Sequence, residues 1–220
     1  QEEFNANVSH ELRTPIAVMH AQCQVSREVA EKKQDKEAIK SIEVFERQTN
    51  RMKNLVDQLL QMTAIDRKGI TFSMEDIDVR DVIESACDDI AYIDTKQITF
   101  EYSFQPTIIH ANMNLIYIVI NNLLSNAVKY SNEGTKIYVS CGEKDGKSYI
   151  RIQDEGCGIE KENISKIFES FYREEKDRNA EGFGLGLSQA MKIAELYGGG
   201  IYVESTKNKG SIFTFFIPKP

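Results

Sequence analysis

The chain contains no apolar run long enough to cross a bilayer and no leader pattern at its start, so nothing in it reads as a span or a signal peptide. Its four cysteines, Cys23, Cys87, Cys141 and Cys157, include no CxxC pair. That spacing fits reduced thiols in a cytosolic setting better than a disulfide framework or a zinc site. Positive charge is in deficit: 27 Lys and Arg against 34 Asp and Glu give a net charge of -7. A general affinity for nucleic acid or for an anionic membrane is therefore not expected. There is no internal repeat and no low-complexity segment. There is no initial methionine either, and Gln1 falls in mid-pattern, so the chain reads as a piece of a longer protein.

What is present is an ordinary globular composition, with 41% hydrophobic and 28% charged residues over 220 positions. Phe4, Val8, Leu12, Ile16, Met19 and Cys23 recur at steps of four or three, which predicts an amphipathic helix from near the start to about Ala30. Successive residues turn such a helix by about 100°, so His10 faces away from the apolar stripe, with Thr14 one turn on and Glu11 beside it. Pro15 removes one helical amide bond and predicts a bend. An exposed histidine next to a carboxylate suggests a nucleophile with its base attached. On the helix alone, a surface histidine without a role is the simpler reading. His20, on the same helix with no acidic neighbour, is assigned none.

A charged turn, Glu31 to Lys36, leads to a second helix. Ala38, Ile42, Phe45, Thr49, Met52, Val56, Leu59 and Thr63 form a heptad seam, broadened by Leu55, Leu60 and Met62. One partner helix is too narrow to cover it. Two hairpins in a four-helix bundle would, which predicts a homodimer. The helical pattern stops at Asp66-Arg67-Lys68-Gly69, giving expected domains at 1–66 and 67–220. Beyond it, Ile70 to Ile77 alternates as a strand. Val79 to Ile93 is helical, with Val82, Ile83, Ala86 and Ile90 inward. Gln97 to Phe104 and Pro106 to His110 read as a hairpin, and Asn114 to Tyr130 as an apolar helix. Lys136 to Cys141 and Ser148 to Gln153 form another hairpin. Gly186 to Tyr197 is a helix, and Ile201 to Ser205 and Ser211 to Ile217 close the chain as a third hairpin. The fold class is α+β: a helical hairpin followed by an α/β sandwich with a mixed sheet on one side and helices on the other.

Three clusters carry chemistry. Asn122, Asn126 and Lys129 lie on one face of the apolar helix, where two carbonyl oxygens and an ammonium suit a hydrated magnesium and a phosphate chain. Asp154-Glu155-Gly156-Cys157-Gly158-Ile159 follows a strand. Its aspartate can accept a hydrogen bond from an exocyclic amine, and its glycines let backbone approach a flat ring. Gly182-Phe183-Gly184-Leu185-Gly186-Leu187-Ser188 opens a helix whose free amides suit phosphates. The GxGxG spacing excludes a Rossmann reading. Between the last two clusters lie Phe168, Phe171, Tyr172 and Arg173, then a polar run, Glu174 to Glu181, that reads as a lid.

In this order, the clusters resemble the cytoplasmic core of two-component sensor histidine kinases, over nearly the whole chain. The H box is Ser9 to Pro15, the N box Asn122 to Tyr130, and the first glycine box Asp154 to Gly158. Ile167 to Arg173 is the F box and Gly182 to Gly186 the second glycine box. Gly198-Gly199-Gly200 and Gly210 to Phe213 also match. Asn112 departs from a frequent aspartate, although asparagine can still cap a helix. The resemblance implies a Bergerat-type ATP-binding sandwich, with ATP and magnesium as ligands. His10 would attack the γ-phosphate with Glu11 as base, and Thr14 would position water for phosphatase chemistry. Asn122 and Asn126 would hold the metal. Lys129, Tyr130 and Arg173 would contact the nucleotide or its phosphates, and Asp154 the adenine. Gly156, Gly158, Ile159, Phe171, Gly182, Gly184, Leu185, Gly186 and Leu187 would frame the pocket. The phosphoryl group would pass to an aspartate on a response regulator receiver domain. A parent protein anchored in the bacterial inner membrane is implied, with this part cytoplasmic. The alternatives are a nucleotide-gated interaction module of the kind found in chaperones, topoisomerases and mismatch-repair proteins, or a degenerate kinase acting mainly as a phosphatase.

Overall fold

A computed structural model describes residues 2–65, 72–93, 96–174 and 183–219, apart from the side chains of 2–14, Ala64 and Ile93. The chain divides into two compact units, Gln1–Ile70 and Thr71–Pro220.

The first unit is a helical hairpin of α1 (Glu2–Lys32) and α2 (Lys36–Ile65). α1 continues through Pro15. The turn uses a left-handed residue, Gln34 at φ 54°, and Asp35 Oδ1 accepts the Ala38 amide at 3.0 Å to start α2. Ile16 and Ala30 on α1 and Thr49 and Met62 on α2 are buried. Arg27 ties the hairpin across its width by reaching Glu46 of α2 at 2.8 Å, and it also pairs with Glu31 of its own helix at 3.1 Å. Three residues from the predicted stripes are not covered within this chain: Phe45 is 65% exposed, Met52 48% and Met19 41%. Val18, Val25, Val29 and Val44 are exposed beside them.

The second unit begins with β1 (Glu75–Asp78) and α3 (Val79–Ile93), followed by β2 (Thr99–Phe104), β3 (Ile108–Ala111) and α4 (Met113–Tyr130). Then come β4 (Lys136–Lys144), β5 (Lys147–Asp154), a 3-10 turn (Lys166–Phe168), α5 (Gly186–Leu196), β6 (Gly200–Thr206) and β7 (Gly210–Pro218). Five strands form a mixed sheet in the order β2-β4-β5-β7-β6, while β1 and β3 pair apart from it. α4 packs between α3 and α5 and against the sheet. Strict alternation along β5 sends Ser148, Ile150, Ile152 and Asp154 inward. Ile137, Val139, Phe213 and Phe215 join them from the flanking strands. Val82, Ile83, Ala86 and Ile90 of α3 and Leu123, Leu124 and Ala127 of α4 complete the core. The β4–β5 turn takes Asp145 at φ 51° and Gly146 at φ 71°, the two left-handed residues of a tight hairpin.

Two predicted elements differ. Gln97 to Phe104 and Pro106 to His110 are not a hairpin: β2 runs parallel to β4, and β3 pairs with β1. Gln105 still donates to Cys141, but Pro106 has no amide to continue that ladder, and the chain leaves for the second sheet. The Ile70 to Ile77 strand shrinks to Glu75–Asp78, because β3 offers only Ile108–Ala111 before Asn112 starts α4. Residues 72–74 belong to no strand, and 70 and 71 lie outside the described residues. Asn112 caps α4 as anticipated, its Oδ1 accepting the Leu115 amide at 3.1 Å.

Candidate functional site

α4 is apolar on the face it buries and polar on the face that carries Asn122, Asn126 and Lys129, all three half-buried. Asn122 Nδ2 donates to Gln189 Oε1 of α5 at 3.3 Å, which answers the cost of an amide this deep in a helix. A Cβ added at Gly186 would come within 2.9 Å of Asn122 Oδ1, so the first turn of α5 lies directly against the asparagine. Lys129 Nζ stands 5.1 Å from the centre of the Tyr130 ring.

The first glycine box is fastened to both neighbours. Asp154 is buried, and its Oδ1 accepts the amides of Gly156 at 2.8 Å and Ser211 at 3.2 Å. Burial pushes its carboxyl above the usual carboxylate range, and the two amides pull the other way. The Cys157 amide donates to the Tyr130 carbonyl at 3.2 Å, joining this loop to the end of α4. A side chain on Gly156 would meet that carbonyl at 2.3 Å, and one on Gly158, at φ 63°, would meet the Thr206 carbonyl at 2.1 Å. The Ile159 amide donates to Ser205 Oγ at 2.8 Å. The glycines here permit backbone-to-backbone packing.

At the second glycine box, Leu185 precedes α5 with no side chain capping the helix, so the first-turn amides at Gly186 and Leu187 present the positive end of the helix. Phe171 is 58% exposed, and its amide donates to the Gly184 carbonyl at 2.9 Å. Phe171 takes φ 67°, a costly conformation for a bulky residue. Arg173 is half-buried. Gly182 and residues 175–181 of the expected lid lie outside the described residues.

The second unit therefore brings Asn122, Tyr130, Asp154, Gly156, Gly158 and Gly186 onto adjoining elements, with Phe171 on Gly184. His10, Glu11 and Thr14 belong to the first unit, on continuous helix. Their helical backbone places His10 and Thr14 one turn apart, and their side chains lie outside those described. The expected domain boundary, Asp66 to Gly69, also lies outside the described residues. Lys96, which carries no sequence signal, reaches the end of α4. Its ammonium donates to the carbonyls of Val128, Lys129 and Ser131, more than thirty positions away in the chain.

Among the described residues, no group of three His, Cys, Asp or Glu could hold a metal. The donors on α4 are amide oxygens instead. Such a set fits magnesium, which keeps most of its waters and takes few protein ligands when phosphates share it.

Both parts of the chain are similar to known proteins. Residues 111–220 match the family model of the histidine kinase-, DNA gyrase B- and HSP90-like ATPases. Residues 1–68 match that of the His Kinase A phospho-acceptor domain. Sensor histidine kinase WalK of Bacillus subtilis is 34% identical over 222 residues, covering 98% of this chain and 36% of that protein. Sensor protein SrrB of Staphylococcus aureus is 31% identical over 231 residues, covering all of this chain and 38% of that protein. The chain thus spans little more than a third of these relatives. Among solved structures, full-length ShkA in complex with AMPPNP superposes with a TM-score of 0.83 at 22% identity, over 98% of this chain and 45% of that one. The Acinetobacter baumannii histidine kinase AdeS gives 0.68 at 25% identity, over 95% and 97%.

Proposed function

This chain belongs to the sensor histidine kinases, with a phospho-acceptor part and a histidine kinase-, DNA gyrase B- and HSP90-like ATPase part, and from that premise we propose how its own residues carry out phosphoryl transfer. Residues 1–66 act as the dimerisation and phosphotransfer part and residues 67–220 as the ATP-binding part. Asp154 accepts a hydrogen bond from the adenine amine. The glycine boxes, with Ile159, Leu185 and Leu187, line the nucleotide, and the α5 amides face its phosphates. Lys129, Tyr130 and Arg173 contact the nucleotide, Lys129 as a point charge for phosphate. Asn122 and Asn126 hold magnesium, which when bound neutralises phosphate charge.

A ring nitrogen of His10 attacks the γ-phosphorus, the bond from phosphorus to the β–γ bridging oxygen breaks, and ADP departs. Glu11 takes the ring proton. Such a transfer is mostly positioning plus charge neutralisation, and no protein group need change oxidation state. The phosphoryl group then moves to an aspartate of a response regulator receiver domain. Thr14 places water when phosphate is removed instead. Two copies pair through the exposed apolar residues of the hairpin, Phe45, Met52, Val18 and Val25 among them. The longer protein is anchored in the plasma membrane with this part on the cytoplasmic side.

The observation that supports this reading most is the meeting of the N box and both glycine boxes around the C-terminal half of α4 and the start of α5. The test is incubation with γ-labelled ATP and magnesium. Acid-labile label on the protein, absent from His10→Ala, is expected. Release of free phosphate with no labelled protein would favour a nucleotide-gated module instead.

A further inference from the structure

We propose that Lys96 is a positioning residue for the nucleotide: its ammonium clamps the last turn of α4 and so sets the register of both the N box and the first glycine loop. The proposal rests on the nucleotide reading above and adds to it a residue outside every motif box.

A helix leaves its last four carbonyls without helical partners. At the end of α4 Lys96 Nζ donates to three backbone carbonyls, Lys129 at 2.7 Å and Val128 and Ser131 at 2.9 Å each. Three is the number of N–H bonds an ammonium offers, and a cation is favoured at the negative end of a helix. The Lys96 carbonyl also accepts the Gly134 amide at 2.9 Å, so the lysine grips the connection beyond α4 from both its backbone and its side chain.

What this turn carries makes the clamp consequential. Lys129 and Tyr130 lie on it, and the Tyr130 carbonyl accepts the Cys157 amide at 3.2 Å. The same carbonyl lies 2.3 Å from where a Gly156 Cβ would stand, so the loop has no room to move toward it. Asp154 Oδ1 holds the Gly156 amide at 2.8 Å. A displacement of the α4 terminus therefore passes through one carbonyl to Gly156 and Cys157, and from there to the aspartate that reads the base. Without the ammonium the last turn frays in part of the population. A ligand that binds only the ordered form then loses affinity in proportion to the ordered fraction.

The test is titration of the full chain with magnesium-ATP, comparing wild type with Lys96→Met, Lys96→Gln and Lys96→Arg. Lys96→Met is expected to raise the Kd and KM for ATP about tenfold, with the autophosphorylation rate at saturating ATP within about twofold of wild type. Lys96→Arg, which keeps a charged multiple donor, should recover most of the affinity. Hydrogen exchange at the Cys157 amide should quicken in ligand-free Lys96→Met. If Lys96→Met does not fold, Lys96→Gln carries the same comparison, with a smaller rise in Kd. Unchanged Kd in a folded neutral variant, or a loss confined to the saturated rate, would overturn the proposal. So would failure of Lys96→Arg to rescue. A wild-type chain that binds no ATP would instead sink the nucleotide reading itself.

Discussion

The two units of this molecule solve the burial problem differently. The α/β unit covers its own core: Leu123, Leu124, Ile152 and Phe215 are all essentially sealed from solvent. The hairpin does not. Phe45 remains 65% exposed on a helix where Thr49, one turn away, is buried. Two helices cover each other along one line, whereas a sheet with three helices across it closes a layer. The α/β unit thus buries its apolar residues within one copy, whereas the hairpin leaves a row of them in solvent. The proposed catalytic division follows the same line, with the nucleotide groups assigned to the self-contained unit and the acceptor histidine to the incomplete one.

Phe215→Ala should show the largest stability effect and sharpen the contrast. Removing a ring that is 1% exposed should cost the α/β unit about 3–5 kcal/mol in denaturant unfolding. The oligomeric state should not change. Phe45→Ser should do the reverse, costing the isolated chain less than about 1 kcal/mol while moving the dimer–monomer equilibrium strongly toward monomer in analytical ultracentrifugation. If Phe45→Ser left the assembly intact and Phe215→Ala dissolved it, the division would be wrong.

Asn112→Ala should cost about 1 kcal/mol through loss of the α4 cap. The loss should appear in the melting of the α/β unit. Asp154 sets a pH dependence. Its pKa is raised by burial, so the carboxylate on which the proposed contact to the base amine depends is lost, as pH falls, sooner than for an ordinary aspartate. ATP affinity should decline on acidification above the usual carboxylate range, and Asp154→Asn should flatten that profile. The sign for stability is opposite: a raised carboxyl pKa favours the folded state as pH falls through it. The smallest effect concerns thiols. Cys87 is buried with its pKa pushed up to about 11, and should resist alkylation at neutral pH while half-exposed Cys157 reacts. Bound ATP should slow the reaction at Cys157.

The parts of the fold written in local pattern were legible. The 3.6-residue period of α3 and α4, and the hairpin of Lys136 to Cys141 with Ser148 to Gln153, need only neighbouring residues to specify them. The pairing of β2 was not legible, because adjacency in the chain suggested a hairpin with β3, and the actual partner, β4, comes after an intervening helix. Pro106 was the available clue. At the site, the boxes announced themselves as short strings. Lys96 did not, since its three carbonyl partners are set by tertiary folding and a lone lysine carries no local signature. Gly158 was legible as part of a glycine box, and Gly210 as part of a short string matching the family. What the fold places there, the Thr206 carbonyl 2.1 Å from where a Gly158 Cβ would stand and the Asp154 carbonyl 2.0 Å from where a Gly210 Cβ would stand, emerged only from the structure.

The most direct test of the account is to locate the phosphate. The chain has three histidines, His10, His20 and His110. After reaction with magnesium-ATP, peptide mapping under alkaline conditions should find phosphate on His10 alone. Phosphate on His20 or His110 with His10 unmodified would contradict the assignment of the acceptor helix, and with it the division of labour between the two units.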